Sequence, residues 1–221
     1  MARENYEAKL ESLREDVTGM AETALQRYEM ALDVLETGDE EMARQVIEGD
    51  HELNEQYLAI ESDCIELLAL QQPVAGDLRF IASSFKIVTD LERIGDLATN
   101  LARYGREAGG GLDLHAQPIG ATAGEMVEDA IAAYADDDAS ATREIAARDD
   151  DLDERCQAAT EAVIRDLMTT RAWDPEEVES TLEHASRALL TVRDIERVGD
   201  HAVNICARTL YMVEYDDDLI Y

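Results

Sequence analysis

Residues 90–100 read DLERIGDLATN, and residues 194–204 read DIERVGDHAVN. Seven of the eleven positions are identical, and two of the other four exchange one branched aliphatic side chain for another. Each copy carries a glutamate and an aspartate four residues apart, Glu92 with Asp96 and Glu196 with Asp200. A glycine sits between them, Gly95 or Gly199, and an asparagine follows one turn on, Asn100 or Asn204. In a helix the four-residue step stacks both carboxylates on one face. A duplicated acid pair of this kind is either solvated surface or a site, and its surroundings decide which.

Further upstream, IEGDHELN (47–54) pairs with AARDDDLD (146–153), so the repeat extends over two halves of about a hundred residues. Between the halves, REAGGGLDLHAQPIG has three consecutive glycines and Pro118, the composition of a linker. Each half reads as three helices. Leu10, Leu13, Val17, Met20 and Ala24 step by three and four, the apolar stripe of a first helix. Thr37-Gly38-Asp39 stops that helix and caps the next, and Pro73 separates the second helix from the third. In the second half, Asp174-Pro175-Glu176-Glu177 supplies a cap, a first-turn proline and a capping-box glutamate. Strand-like alternation is absent. The expected fold is all-α: two tandem antiparallel three-helix bundles related by an internal repeat, over residues 1–108 and 116–221. Helices of this length should reach about 40–50 Å.

The apolar rows place the acids. In the third helix Leu78, Ile81, Phe85 and Val88 continue into Glu92, Gly95 and Thr99; in the second half Leu182, Ala185, Leu189 and Val192 continue into Glu196, Gly199 and Val203. The second helices behave alike, with Asp50 inside the row Val46, Leu53, Tyr57, Ile60, Cys64, Leu67 and Asp149 inside Ile145, Leu152, Cys156, Ala159, Val163. Like charges brought together at inward positions are costly unless a cation compensates them. Arg93 and Arg197 follow the glutamates directly, point about 100° away around the helix, and are expected not to neutralise both acids. The candidate ligands are therefore Asp50, Asn54, Glu92 and Asp96 in the first half, and Asp149, Asp153, Glu196 and Asp200 in the second. An all-oxygen set suits magnesium, calcium, manganese or iron. The interior glycines, each costing about 1 kcal/mol against alanine, would admit a close neighbour, either another backbone or a metal cluster.

Composition limits the alternatives. The chain has 51 acidic and 19 basic residues, a formal charge of −32, and only two of the bases, Lys9 and Lys86, are lysines. Any single acid pair in such a chain is a solvated face; the weight lies in four pairs at corresponding places in two repeats. The dispersed acids suit a surface adapted to a high-salt cytoplasm, where screening weakens their mutual repulsion. With no basic stripe to neutralise phosphates, direct nucleic-acid binding is excluded. No apolar run reaches membrane-spanning length and MARENYEAKL is no signal peptide, so a soluble cytoplasmic protein is expected. Cys64, Cys156 and Cys206 are far apart and read as small apolar side chains. A carboxylate-bridged di-iron oxidase needs paired Glu-x-x-His motifs, and Glu48 to His51 has no partner in the repeat, where Ala147 and Asp150 stand. His201 follows Asp200 but its counterpart is Leu97, which reads as a surface histidine. Nucleophile elbows and phosphate-cradling loops are also missing, so the protein reads as no enzyme.

At the duplicated ERIGD and ERVGD, continued as DLATN and DHAVNI, and at VIEGDHELN followed by LLALQQPVAGDLR, the chain resembles the PhoU family of phosphate-uptake regulators. The resemblance runs from the first helix to about Met212, and departs from the family pattern at Asn54, where a carboxylate would be the stronger ligand. It implies two three-helix bundles and multinuclear metal clusters, of iron or zinc among other metals. It also implies a negative regulator of phosphate uptake that contacts a phosphate ABC transporter or a sensor and signalling protein. No added DNA-binding domain is expected, and the oligomeric state, a homodimer included, stays open. A helical metal store or scaffold without a phosphate role is the rival reading. The acid-rich, lysine-poor surface suggests a salt-loving microbe, an archaeon by preference.

Overall fold

The apolar rows fold into eight helices in a computed structural model that describes residues 2–70, 73–110, 116–170 and 174–220. They are α1 (Ala2–Thr37), α2 (Glu40–Glu48), α3 (Asp50–Leu70), α4 (Ala75–Ala108), α5 (Ala116–Ala135), α6 (Ala139–Ala146), α7 (Asp149–Thr169) and α8 (Pro175–Glu214). Among the described residues there is no strand, and no helix is long and apolar enough to cross a membrane. At about 1.5 Å per residue, the 40 residues of α8 run to roughly 60 Å, longer than expected.

Two bundles result, α1–α4 and α5–α8. They are the tandem helical bundles that the repeat predicts, with the second helix of each divided in two by a local break. The break falls at Gly49 in the first half and at Ala147–Arg148 in the second, and Gly49, Ala147 and Arg148 all keep helical backbone angles. The break is thus a local tightening: Glu52 N–H bonds Gly49 C=O at 3.0 Å, and Arg148 N–H bonds Ile145 C=O at 3.0 Å. An irregularity of one or two residues that keep helical backbone angles leaves the apolar periodicity intact, which is why the row hides it. Asp50 and Asp149 become the opening residues of α3 and α7, where acids also suit the helix dipole.

Caps fall where turn chemistry puts them. Gly38 takes the left-handed φ of 67°, and Asp39 accepts from Met42 N–H at 2.9 Å to start α2. Asp174 does the same for α8 through Glu176 N–H at 2.9 Å, with Pro175 behind it. The linker is shorter than its composition suggested. Arg106–Ala108 finish α4 and Ala116–Pro118 open α5, where a first-turn proline is tolerated. Gly111–His115 and the Arg171–Trp173 part of the second-half turn lie outside the described residues.

α4 and α8 pack against each other at the centre, α1 also meets α5, and one apolar cluster runs through both halves. Leu13, Val17, Met20 and Ala24 are buried in it, as are Leu53, Ile60, Cys64 and Leu67 of the second-helix row and Leu152, Cys156, Ala159 and Val163 of its repeat. The three cysteines are buried thiols. The third-helix rows are only partly inward: Leu78 is 47% and Leu182 54% exposed. A row of alternating three- and four-residue steps drifts about 20° per heptad on a straight helix, so its ends leave the core. α4 gains a second buried face instead, with Ile87, Leu91, Ile94, Leu97 and Leu101 buried between the bundles.

Close backbone approach occurs at Gly105, where an added Cβ would lie 2.6 Å from Val34 O and 2.8 Å from Leu35 Cα. Both are backbone atoms that cannot step aside. Gly105→Ala should therefore force α1 off α4 and cost about 2–3 kcal/mol, measured as a lower denaturation midpoint; an unchanged midpoint would contradict this packing.

Candidate metal centres

The two halves bring the same positions together and furnish them differently. In the first, Asp50 at the start of α3 accepts from Asn54 Nδ2 at 3.1 Å and lies 3.5 Å from Thr99 Oγ1 on α4. Glu92 and Asp96 lie beside it on α4, their side chains 20% and 42% exposed. Arg93 spans them, with Nε 3.4 Å from Glu92 and a terminal nitrogen 3.0 Å from Asp96. That corrects the expectation that Arg93 could not serve both acids: its backbone points away, but its long side chain curls back. Burial first, then Asp96, raises the Glu92 carboxyl above its ordinary range, while Arg93 pulls it down.

In the second half those compensations are gone. Val203 stands in the place of Thr99 and Asp153 in the place of Asn54, so Asp149 has lost both donors. Its Oδ1 is buried without a hydrogen-bond partner. Arg197 turns to Asp194, at 3.9 Å, instead of bridging Glu196 and Asp200. Burial, followed by Asp153, Asp200, Asp150 and Glu196, pushes the Asp149 carboxyl up to about 6. Glu196 and Asp200 are raised too, each by burial first and Asp153 second. Four carboxylates thus face one another with an orphaned oxygen among them, an arrangement suited to a hard cation. The first-half set suits one less, since Arg93 and Asn54 already occupy its oxygens.

The acids sit at the margin of the core, shallower than their rows suggested. Asp153 and Asp200 are exposed, and Asp50, Asn54, Glu92, Asp96, Asp149 and Glu196 are half-buried. Within neither set do the oxygens converge on one point. Among the described residues, three such ligand atoms lie within 4.8 Å of one another only at Asp216, Asp217 and Asp218, after α8. Asp216 there is held by Arg143 at 2.7 Å. Closing the second-half set on an ion takes rotation of side chains that solvent leaves free.

Each motif glycine admits a leucine. An added Cβ would lie 2.1 Å from a Leu53 methyl at Gly95 and 2.3 Å from a Leu152 methyl at Gly199. The close neighbour of each glycine is thus a leucine side chain rather than another backbone. At Gly199 the same position is 3.3 Å from Asp149 Oδ1, so the glycine also brings α7's aspartate onto α8.

The first acid of each motif has a separate task that the sequence concealed. Asp90 accepts from His201 at 2.9 Å and Asn204 at 3.3 Å, tying α4 to α8. His201 is therefore largely buried at the seam between bundles, a correction to its reading as a surface residue. Asp194, fully buried, accepts from Tyr104 at 3.2 Å and Arg193 at 2.9 Å. Their equivalence in the two repeats was a usable signal, but His201 and Asn204 for Asp90, and Tyr104 for Asp194, come from the other half. Asp194→Ala should cost about 2 kcal/mol by removing charged hydrogen bonds. Chemical denaturation measures it, and a change under about 0.5 kcal/mol would contradict the assignment.

A duplicated helical bundle with acid pairs at matching seams defines the class: a tandem-repeat, all-α protein with carboxylate-lined sites and no membrane-spanning helix among the described residues. The PhoU domain matches it twice, over residues 17–105 and 117–209. The chain belongs to the PhoU family. It is 33% identical to the phosphate-specific transport system accessory protein PhoU homolog of Pseudomonas putida, covering 97% of this chain and 82% of that one. It is 32% identical to the Escherichia coli accessory protein PhoU, covering 96% and 86%. The crystal structure of PhoU from Pseudomonas aeruginosa superposes with a TM-score of 0.87 at 30% identity, over 96% of this chain and all of that one. The phosphate transport system regulatory protein PhoU from Streptococcus pneumoniae gives 0.84 at 27% identity, over 96% and 98%.

Proposed function

We propose that this chain is a non-enzymatic regulatory adaptor of phosphate transport, acting in the cytoplasm. When phosphate is plentiful it lowers phosphate uptake or its signalling by contacting components of a phosphate ABC transporter or a signalling protein. The carrying observation is that similarity to phosphate-specific transport system accessory proteins spans nearly the whole chain, both copies of the duplicated motif included. Metal ions, with iron, zinc, manganese and magnesium as candidates, bind at the paired acids. Asp149, Asp153, Glu196 and Asp200 would hold them most firmly. Asp50, Asn54, Glu92 and Asp96 would do so only after Arg93 lets go. An ion in the second half supplies the positive charge that those carboxylates lack and joins α7 to α8.

Phosphate uptake by host cells growing in abundant phosphate tests the proposal. Deleting the gene should leave uptake high, a wild-type copy should restore its repression, and a copy with Glu196→Gln and Asp200→Asn should restore it less well. Equal uptake with and without the gene would overturn the regulatory reading. A changed cellular metal content with uptake unaffected would point to a metal store.

A further inference from the structure

The repeat is unequal at its first helix. Asp39 and Asp138 are equivalent caps, each receiving backbone N–H groups at the start of α2 or α6. Counting back from them places Ala116, the first residue of α5, level with Val17 of α1. The 36-residue α1 therefore carries four turns that the 20-residue α5 lacks. In the first half those turns fill the groove between α3 and α4. Tyr6 and Leu13 are buried there, Leu10 packs against the core, Lys9 reaches Glu66 on α3 at 2.5 Å, and the Arg14 guanidinium lies 4.8 Å from the Phe80 ring on α4.

Among the described residues no segment fills the same groove in the second half, between α7 and α8 beyond Ile119, where there is a cavity of about 900 Å³. Its lining differs systematically from the filled one. Ala159 replaces Ile60, Ala185 replaces Ile81, Asp166 replaces Leu67 and His184 replaces Phe80. The floor has been lowered rather than closed, so side chains larger than those of α1 would fit. Ala158 and Ala162 are exposed along it, and Met168, at 82% exposure, stands at the far end of α7.

We infer that this groove is a docking site for an amphipathic helix of a partner protein, one with bulky apolar side chains along one face and basic residues flanking them. The filled first-half groove fixes the shape of the occupant: a helix of about four turns with apolar residues at the spacing of Tyr6, Leu10, Leu13 and Val17. The walls fix its charge. Asp166 lines the groove, and Glu154 and Glu161 on α7 and Glu177 on α8 are exposed on the helices that flank it. The groove's own cation, Arg155, is already turned to Thr122 and the Pro118 carbonyl of α5, at 2.8 and 3.1 Å. A basic helix complements these walls, whereas a second copy of a chain with a net charge of −32 meets like charge. The surface is distinct from the carboxylate sites and is available whether or not they hold metal.

Fluorescence anisotropy of a labelled synthetic helix tests this, in salt at which melting curves show the protein folded. The helix carries leucine and phenylalanine at the α1 spacing with lysine and arginine on both flanks. It should bind the full chain. Ala162→Trp, or independently Ala158→Trp, should fill the groove and weaken binding by about tenfold or more. Ala59→Trp, the matching exposed alanine on α3, should leave it unchanged, and a helix with glutamate flanks should bind at least about tenfold more weakly. The inference is overturned if the basic helix fails to bind, if the groove variants bind it as the wild type does, or if flank charge makes no difference. It is also overturned if sedimentation shows a dimer that Ala162→Trp dissociates, since a second copy would then fill the groove.

Discussion

Reducing the salt from about 1 M to about 0.1 M should lower the melting temperature by of order 10–20 °C. The screening length grows from about 3 Å to about 10 Å across that range, which exposes carboxylates on neighbouring helices to one another. With 51 acids against 19 bases, most of the acids have no base to compensate them. The arginines are used as ties between elements, as in Arg143 to Glu214 and Asp216, Arg148 to Glu125 and Asp129, and Arg187 to Glu107. Exposed pairs of this type contribute little individually, so they cannot offset repulsion over the whole surface. For a chain of this size each kcal/mol lost lowers the melting temperature by about 2–4 °C, and a loss of several kcal/mol gives the range stated. Calorimetry across potassium chloride concentrations is the measurement. A flat profile would mean that the acidity does not depend on screening, and would remove the case for adaptation to high salt.

A second large effect is expected at Asp149. Its folded carboxyl is held near 6, above the ordinary aspartate range, so the folded chain keeps a proton that the unfolded chain has released. Its contribution to the metal-free protein is therefore fully present below the ordinary aspartate value of 3.8 and is lost as pH rises from there through about 6. Asp149→Asn removes this term. In chelator-treated protein the variant should gain more stability over wild type at pH 7 than at pH 4.5. Added metal should reverse the order at pH 7: wild type gains about 2.7 kcal/mol when free metal reaches a hundred times its dissociation constant, and the variant gains much less. Denaturation curves at the two pH values read both effects. Equal gains at pH 4.5 and 7 would show that Asp149 is not forced against its neighbours.

These effects depend on features that were unequally legible. The stripe Leu13, Val17, Met20, Ala24 and the caps Asp39 and Asp174 express local rules, and local rules carried the helices and the repeat. The divisions at Gly49 and Arg148 escaped because a tightening of one or two residues that keep helical backbone angles does not disturb a 3.6-residue period. The rows misplaced Leu78 and Leu182 because a fixed row drifts around a straight helix, and because α4 and α8 have two buried faces. At the site, the eight positions could be named from their spacing, but the difference between halves lay in their neighbours. Thr99 against Val203 and Asn54 against Asp153 are visible in an aligned repeat, and together they determine whether Asp50 or Asp149 has donors. Arg93 was misjudged because backbone direction does not fix where a long side chain ends. Asp90 with His201, and Asp194 with Tyr104, join residues about a hundred positions apart, which no periodicity reports.

The most direct measurement is the metal content of the purified protein, prepared without chelator, for wild type and two quadruple variants. One replaces Asp149, Asp153, Glu196 and Asp200 by their amides. The other replaces Asp50, Glu92 and Asp96 by their amides and Asn54 by alanine. The wild type should retain metal through dialysis, the second-half variant should lose most of it, and the first-half variant should keep most of it. The same metal content in the wild type and the second-half variant, with both folded, would contradict the assignment of the bare carboxylate cluster as the principal metal site.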